Sequence, residues 1–284
     1  MTRILIGFLP LVLHAAALAL AVGVARWLGG VTAWWVVVPL YAVALPTFAG
    51  LSTWPVQRHV VAGKFDRDPR TPLYRGRLIY GAAWTAVFYC KPLYHAILIL
   101  PPLKAWTLRL FGYRGSLAAT LYPDTWIRDL PLLHLGDGAY VANRATLGTN
   151  IVLANGRILV GPIRLGPGAL IGHLTMIAPG CEIGSKADVG VGCAIGMSVR
   201  LEDGVRVGPT CTIDHGAVVG ARTVVGPMTY LGKRVRLGPD LRIPAGTVIP
   251  DRTRIETPSQ LLSFLALATT QPKREDTSST EETS

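Results

Sequence analysis

Residues 165–254 divide without a slip into fifteen hexads: LGPGAL, IGHLTM, IAPGCE, IGSKAD, VGVGCA, IGMSVR, LEDGVR, VGPTCT, IDHGAV, VGARTV, VGPMTY, LGKRVR, LGPDLR, IPAGTV and IPDRTR, followed by Ile255. The first position is Leu, Ile or Val every time, and the second is Gly in ten of the fifteen. The fifth is almost always small or β-branched. An amphipathic helix repeats every 3.6 residues and cannot produce a period of six, whereas a solenoid with three short strands per turn can. The hexads therefore predict a parallel β-helix of 18-residue coils stacked at about 4.8 Å. First-position aliphatics point inward, fifth-position residues fill the remaining interior, and the glycines allow the corners.

Working backward, Leu135, Val141 and Leu147 continue the frame (LGDGAY, VANRAT, LGTNIV), and Leu153 and Leu159 fall in register with it. The fifth position of the Leu153 hexad is Arg157, which an apolar interior does not accept unpaired. That conflict marks residues 151–158 as a candidate excursion from the coil, and excursions are where function tends to sit. Three of the four cysteines, Cys181, Cys193 and Cys211, occupy fifth positions and read as small buried residues. With no Cys-x-x-Cys pair, neither a redox motif nor a zinc knuckle is supported.

Ahead of the repeat the character changes. Half of the 284 residues are apolar and the mean hydropathy is +0.39, high for a soluble protein. Residues 4–25 and 31–51 are each about 30 Å long as helices, matching a bilayer core. They read as a transmembrane hairpin broken at Gly29-Gly30, with His14 on the face toward the partner helix. A signal peptide is the competing reading of the first segment, and the second apolar segment weighs against it. Between residues 52 and 114 stand ten Lys or Arg against Asp66 and Asp68, a local charge of +8 within a total of +11. Beside apolar segments, this charge points to the anionic leaflet of a membrane, and no nucleic-acid motif accompanies it. The Lys/Arg bias places the basic loop, the N-terminus and the repeat on the cytoplasmic side of an inner or plasma membrane, with the chain multi-pass. Residues 78–110, interrupted at Pro92 and Pro101-Pro102, suggest two interfacial or re-entrant helices whose Lys91, Lys104 and Arg109 reach headgroups.

The domain reading is a hairpin over 1–51, a basic loop and interfacial helices over 52–131, a β-helix over 132–256, and a capping helix with a polar disordered tail over 257–284. Within the repeat, His173 and His215 hold third positions, pointing outward near corners. His173 follows Asn155 by 18 residues and Asp137 by 36, so an uninterrupted coil would align the three in one column, with Asp137 or Asn155 orienting the imidazole for base work. His134 precedes the repeat and is a minor candidate. Lys233 and Arg234 are candidates to meet phosphates. Ile213-Asp214-His215-Gly216 resembles the Gly-His-Gly pattern of hexapeptide carbonic anhydrases, a resemblance that implies a second histidine five residues on; positions 220 and 178 are Gly and Ala, and a catalytic zinc site needs three protein ligands, so no metal is expected.

The repeat resembles the left-handed β-helix of hexapeptide-repeat acyltransferases. More narrowly, LLHLGDGAYVANRATLGTN from Leu132, VGPIRLGPGALIG and IAPGCEIG are similar to the membrane-embedded terminal unit of poly-lysine-type nonribosomal peptide synthetases. The resemblance implies a left-handed coil, a homotrimer with sites between subunits, and acyl transfer from coenzyme A or a carrier-protein thioester, as co-substrate, to a hydroxyl or amine. It implies no bound cofactor. A Thr-His pair is common in the family where this chain has Thr149-Asn150. Asparagine cannot act as a base, so either another histidine serves or the solenoid is a non-catalytic scaffold. The acceptors considered are lipid-linked, glycan or peptide, and an amide-forming unit of a peptide synthetase is a further alternative.

Overall fold

The computed structural model describes residues 2–29 and 34–270. The polar tail expected to be disordered, residues 271–284, lies outside them.

The helical part begins with α1 (Thr2–Gly7), α2 (Leu9–Gly29) and α3 (Val37–Thr53), which continues as a 3-10 helix over Trp54–His59. Two stretches, Leu9–Gly29 and Trp34–His59, are long and apolar enough to cross a bilayer. They pack through small residues (Ala17, Ala21 and Ala25 on α2; Ala44 and Ala49 on α3) and through His14 Nδ1, 2.5 Å from the Tyr41 hydroxyl. After strand β1 (Gly63–Phe65) come α4 (Pro72–Phe88), α5 (Lys91–Ile99) and α6 (Pro101–Leu110). The prolines that interrupt the sequence at 92 and 101–102 sit in the first turns of α5 and α6, where a missing N–H is not felt. Lys91, Lys104 and Arg109 differ from expectation. Lys104 Nζ donates to Leu117 O and Ala119 O (2.9 and 2.7 Å), Lys91 Nζ to Pro123 O (3.1 Å), and Arg109 Nη1 to Tyr113 O (2.7 Å). These cations satisfy backbone carbonyls at the start of the solenoid instead of reaching away from it.

The solenoid is the parallel β-helix that the hexads predict, consistent with the left-handed form. Pairing starts ahead of the expected boundary at 132: β2 (Thr120–Leu121) already pairs with β4 (Tyr140–Val141), and β3 (Leu133–Leu135) with β8 (Ile163–Leu165). Three parallel sheets result, two of seven strands and one of six. From residue 163 onward partners are 18 residues apart, as in Glu182↔Arg200 and Ile183↔Leu201. The first residue of each two-residue strand points out, and the second, a first-position aliphatic, points into the core.

Two refinements concern the hexad's glycines and cysteines. The left-handed backbone falls on the fourth position, where ten non-glycine residues, among them Leu174 and Met228, hold φ between 54 and 61°. The second-position glycines serve a different need. A Cβ on Gly220 would lie 2.5 Å from Gly238 C and Pro239 N, so these glycines permit the next coil to approach. The interior cysteines are hydrogen-bond donors as well as packing. Thr175, Cys193, Cys211 and Thr229 form one column, and each donates to a carbonyl fifteen residues ahead, at 2.7, 3.2, 3.1 and 3.2 Å. The thiols thus stand in for threonine hydroxyls.

The suspected excursion is present, and Leu153 and Leu159 accordingly leave the coil. After β5 (Thr146–Leu147), strands β6 (Asn150–Val152) and β7 (Ile158–Val160) form an antiparallel hairpin outside the solenoid, and β1 adds to β7. Arg157 turns outward to Asp66 (3.0 Å). Across the excursion partners are 30 residues apart, for example Met176↔Thr146, twelve more than 18. Removing residues 151–162 would leave LGTNIR, an in-frame hexad. The excursion is therefore a two-hexad insertion at one corner. At the other end α7 (Pro258–Thr270) follows the last coil and buries Leu261 against it.

Candidate functional site

The expected column of Asp137, Asn155 and His173 does not form, because the excursion changes the coil length between them. Asp137 stands at the corner between β3 and β4. Asn155 sits in the excursion's turn, where its Oδ1 accepts the Arg157 N–H (3.1 Å). His173 lies at the corner between the strands Leu170–Ile171 and Met176–Ile177, and the residue beneath it is Asn143. His173 Nδ1 is 3.2 Å from Asn143 O. A carbonyl only accepts, so this contact puts a proton on Nδ1, and in the neutral ring Nε2 is then left with a bare lone pair. That is the tautomer a general base requires.

His215 has the opposite arrangement. It sits at the corner between Thr212–Ile213 and Val218–Val219, and its Nδ1 accepts the Met197 N–H at 3.0 Å. In the neutral ring the proton is then on Nε2, which makes His215 a donor. Asp214 Oδ1 accepts the His215 backbone N–H (2.7 Å) and lies 3.3 Å from Nδ1, while Tyr230 donates its hydroxyl to Asp214 Oδ2 (3.4 Å). Lys233 and Arg234 occupy the same corner one coil further on. The Lys233 N–H is taken by Asp251 Oδ1 (2.8 Å), and Arg234 is one of the left-handed residues, φ 57°. Neither side chain makes an ion pair among the described residues.

Asn150 belongs to a buried cluster that sequence reasoning missed. Arg77 Nη2 (2.7 Å), Thr149 Oγ1 (2.8 Å) and Asn150 Nδ2 (3.0 Å) all donate to one oxygen, Oδ2 of Asp129. Arg77 and Asp129 are almost wholly buried, with side chains 4% and 2% exposed. The signal available in the sequence was an acid within the apolar stretch IRDLPLL, which a buried partner must compensate. His134, between Leu133 and Leu135 on β3, has its pKa held below the ordinary histidine value, first by burial and then by Arg164 and Arg114. Burial also pushes the Cys181 thiol up to about 12, and with that thiol protonated Cys181 is no nucleophile.

Asn150 and His215 face the same open groove of about 340 Å³ along the six-stranded sheet, whose walls include Ile151, Met176, Pro179 and Thr212. The outward column of that sheet (Thr146, Met176, Ala194, Thr212, Tyr230, Val248) carries no charge. The seven-stranded sheet that contains β3 and β8, by contrast, presents Arg164, Glu182, Arg200, Arg236 and Arg254. No group of three His, Cys, Asp or Glu able to hold a metal ion occurs among the described residues.

No protein-family model and no curated protein matches the chain. Among solved structures, it is similar to the perosamine N-acetyltransferase of Caulobacter crescentus in complex with CoA and GDP-perosamine. The identity is 19%, the overlay covers 52% of this chain and 60% of that one, and the TM-score is 0.22. It is similar to the acetyltransferase domain of PglB from Neisseria gonorrhoeae in complex with acetyl coenzyme A, at 15% identity, 54% and 60% coverage and a TM-score of 0.24. A hexapeptide-repeat acetyltransferase of Vibrio cholerae complexed with acetyl coenzyme A gives 14% identity, 64% and 86% coverage and a TM-score of 0.30. The chain spans about 60% of the length of the first two. At such TM-scores these overlays lend no weight to an activity, and the solenoid stands on its own strand pairing.

Proposed function

We propose that this chain is a membrane-attached acyltransferase of the hexapeptide-repeat type. One observation carries the reading: the Asn143 carbonyl holds His173 in the tautomer whose Nε2 is free, on an exposed corner of the solenoid. His173 Nε2 takes the proton from an acceptor hydroxyl or amine as that oxygen or nitrogen attacks a thioester carbonyl. The carbon–sulfur bond then breaks, and the imidazolium gives the proton to the leaving thiolate, so the thiol departs neutral and the histidine ends as it began. The donor is acyl-CoA or a carrier-protein thioester, and the cations that meet coenzyme A phosphates are Lys233 and Arg234, a choice supported by their making no ion pair among the described residues. The uncharged face of the six-stranded sheet is the surface on which further copies pack to give a homotrimer, since a charge-free strand face is the one that desolvates at least cost. The apolar hairpin attaches the assembly to the cytoplasmic side of the inner membrane and favours a lipid-linked acceptor over a free glycan or peptide.

Detergent-purified protein titrated with acetyl-CoA and longer acyl-CoAs tests this. A specific ligand at 100 times its Kd should stabilise by about 2.7 kcal/mol. Release of the coenzyme A thiol in the presence of membrane-lipid acceptors should fall roughly 10²–10⁴-fold in His173→Gln, the usual contribution of a general base, and far less in His215→Gln. No thermal shift with any thioester, together with release unaffected by His173→Gln, sinks the reading. A second reading then stands: a non-catalytic trimeric scaffold. Asn150 favours it, being committed to the buried Asp129 cluster and unable to act as a base.

A further inference from the structure

We infer that the apolar hairpin lies in the plane of the membrane, submerged by its outer face in one leaflet, and that the solenoid stands on that leaflet with its axis along the membrane normal. This rests on the membrane attachment proposed above and replaces a spanning hairpin with a monotopic one.

The geometry follows from three antiparallel alignments. Helix α4 runs alongside residues 123–131 of the first coil in the opposite direction. Arg77 meets Asp129 (2.7 Å), Trp84 Nε1 donates to Ile127 O (2.8 Å), and Lys91 pairs with Asp124 (3.4 Å). Coils stack along the solenoid axis, so a helix running along one coil is perpendicular to that axis. Helix α3 and its 3-10 extension in turn run antiparallel to α4, with His59 against Gly76 at one end and Tyr41 against Cys90 at the other. Helix α2 is antiparallel to α3, with His14 on Tyr41. The whole hairpin therefore lies parallel to the plane of the first coil, with α4 and α6 between them.

A hairpin crossing the bilayer along its normal would lay the solenoid on its side and sink the near edge of the first coil. Tyr41 is twelve residues, about 18 Å, from the end of α3 at Thr53. The Lys91–Asp124 pair, 37% and 48% exposed, would then sit near the middle of a hydrocarbon core about 30 Å thick. Exposed ion pairs do not persist there. In the plane, the same pair stays on the water side of the helical layer. The surface chemistry agrees. Exposed apolar side chains run along the hairpin (Leu5, Phe8, Leu11, Leu18, Trp27, Trp35), and Arg26 beside the tip is the one Lys or Arg among them. The small buried residues lie inside the helical layer, where α2 packs on α3 and both meet α4. Lys91 and Lys104 point from the helical layer to carbonyls of the first coil. A layer apolar on one side and polar on the other is the pattern of an interfacial element. His173, two coils above the base, would then meet acceptors whose reactive group projects well clear of the bilayer.

Single-cysteine variants of the full chain in bacterial membranes decide this. Trp35→Cys places a thiol near the hairpin tip, and Asp203→Cys on an exposed solenoid corner gives the control. The in-plane arrangement predicts no labelling of Trp35→Cys by a membrane-impermeant maleimide applied from the face opposite the solenoid. It also predicts equal depths for fluorophores on Leu5→Cys, Leu20→Cys and Trp35→Cys by nitroxide-lipid quenching. Labelling of the tip from the opposite face, or Leu20 lying deepest with Leu5 and Trp35 shallow on either side, overturns it. Recovery of the chain in the soluble fraction would instead overturn the membrane attachment itself.

Discussion

The solenoid from Leu165 to Ile255 and the base from Trp54 to Arg164 are built in opposite ways. In the solenoid the strand pairing is copied: each strand residue meets the one 18 positions on, and interior donors reach carbonyls fifteen positions on, coil after coil. In the base the offsets are 20 and 30, and the joins are single events between distant residues. Arg77 meets Asp129 across 52 positions, Trp84 meets Ile127 O across 43, and Gln57 meets Leu110 O across 53. A repeat is stabilised by the sum of equivalent interfaces and tolerates the loss of one. A base closed by unique polar contacts has no spare copy of any of them.

The largest expected effect tests that contrast directly. Asp129→Ala leaves the buried Arg77 guanidinium without its carboxylate and removes the acceptor of Thr149 and Asn150. Breaking a buried pair from one side costs about 3–5 kcal/mol. Denaturant unfolding followed by intrinsic tryptophan fluorescence, which reports on the base and the hairpin ahead of it, should shift to lower denaturant, while the unfolding of the coils beyond residue 165, followed by protection of their amides from hydrogen exchange, holds. Every tryptophan lies at or before Trp126, so the probes separate the two regions. A single transition moving in both signals would make base and solenoid one cooperative unit, and the contrast would fall.

What could be read in advance divides along the same line. A period of six is a statement about local sequence, so the β-helix, its inward aliphatics and the misfit at Arg157 were all legible. The column Asp137–Asn155–His173 assumed that 18-residue arithmetic held through the excursion. The twelve extra residues sent Asn155 to a turn tip and put Asn143 under His173. Asn150 was legible as a non-base, but its partners Asp129 and Arg77 were not, because nothing local ties position 77 to position 129. The in-plane direction inferred for the hairpin rests on contacts that were hidden for a similar reason. Hydropathy measures the length of an apolar segment, while its direction is set by α4 and the first coil.

Two substitutions within the solenoid sharpen the comparison at smaller magnitude. Gly220→Ala drives a Cβ to 2.5 Å from the backbone of the next coil, which has no flexible end to move aside, and overpacking of this kind costs about 1–3 kcal/mol. Met228→Gly goes the other way. Met228 is exposed and holds φ 56°, a conformation that costs a side-chain-bearing residue about 1–2 kcal/mol, partly offset by the extra chain entropy of glycine. A gain of up to about 1 kcal/mol in the coil transition is expected. The pair separates the hexad's two demands, close approach at position two and handedness at position four. Equal losses from both would show that position four tolerates its side chains without strain.

The smallest effect concerns acid sensitivity, which should belong to the base. His134 lies half-buried on β3, directly beside Arg164 in the paired strand, with Arg114 nearby; burial and the two cations hold its pKa below the ordinary value near 6.5. Between the folded pKa and about 6.5 the unfolded chain therefore binds more protons than the folded one. Stability rises with pH through that window and falls as acid is added, with the full contribution present above it. His134 keeps much of its ring in water, so the slope is shallow. Lowering the pH from neutral toward 5 should move the tryptophan-reported base transition to lower denaturant in the natural chain and less so in His134→Gln, at constant ionic strength. An unchanged slope in the variant would assign the acid response to groups other than His134. A slope seen equally in the coil signal would mean that protonation at the base is felt through the stack, which neighbour-only coupling between coils does not allow.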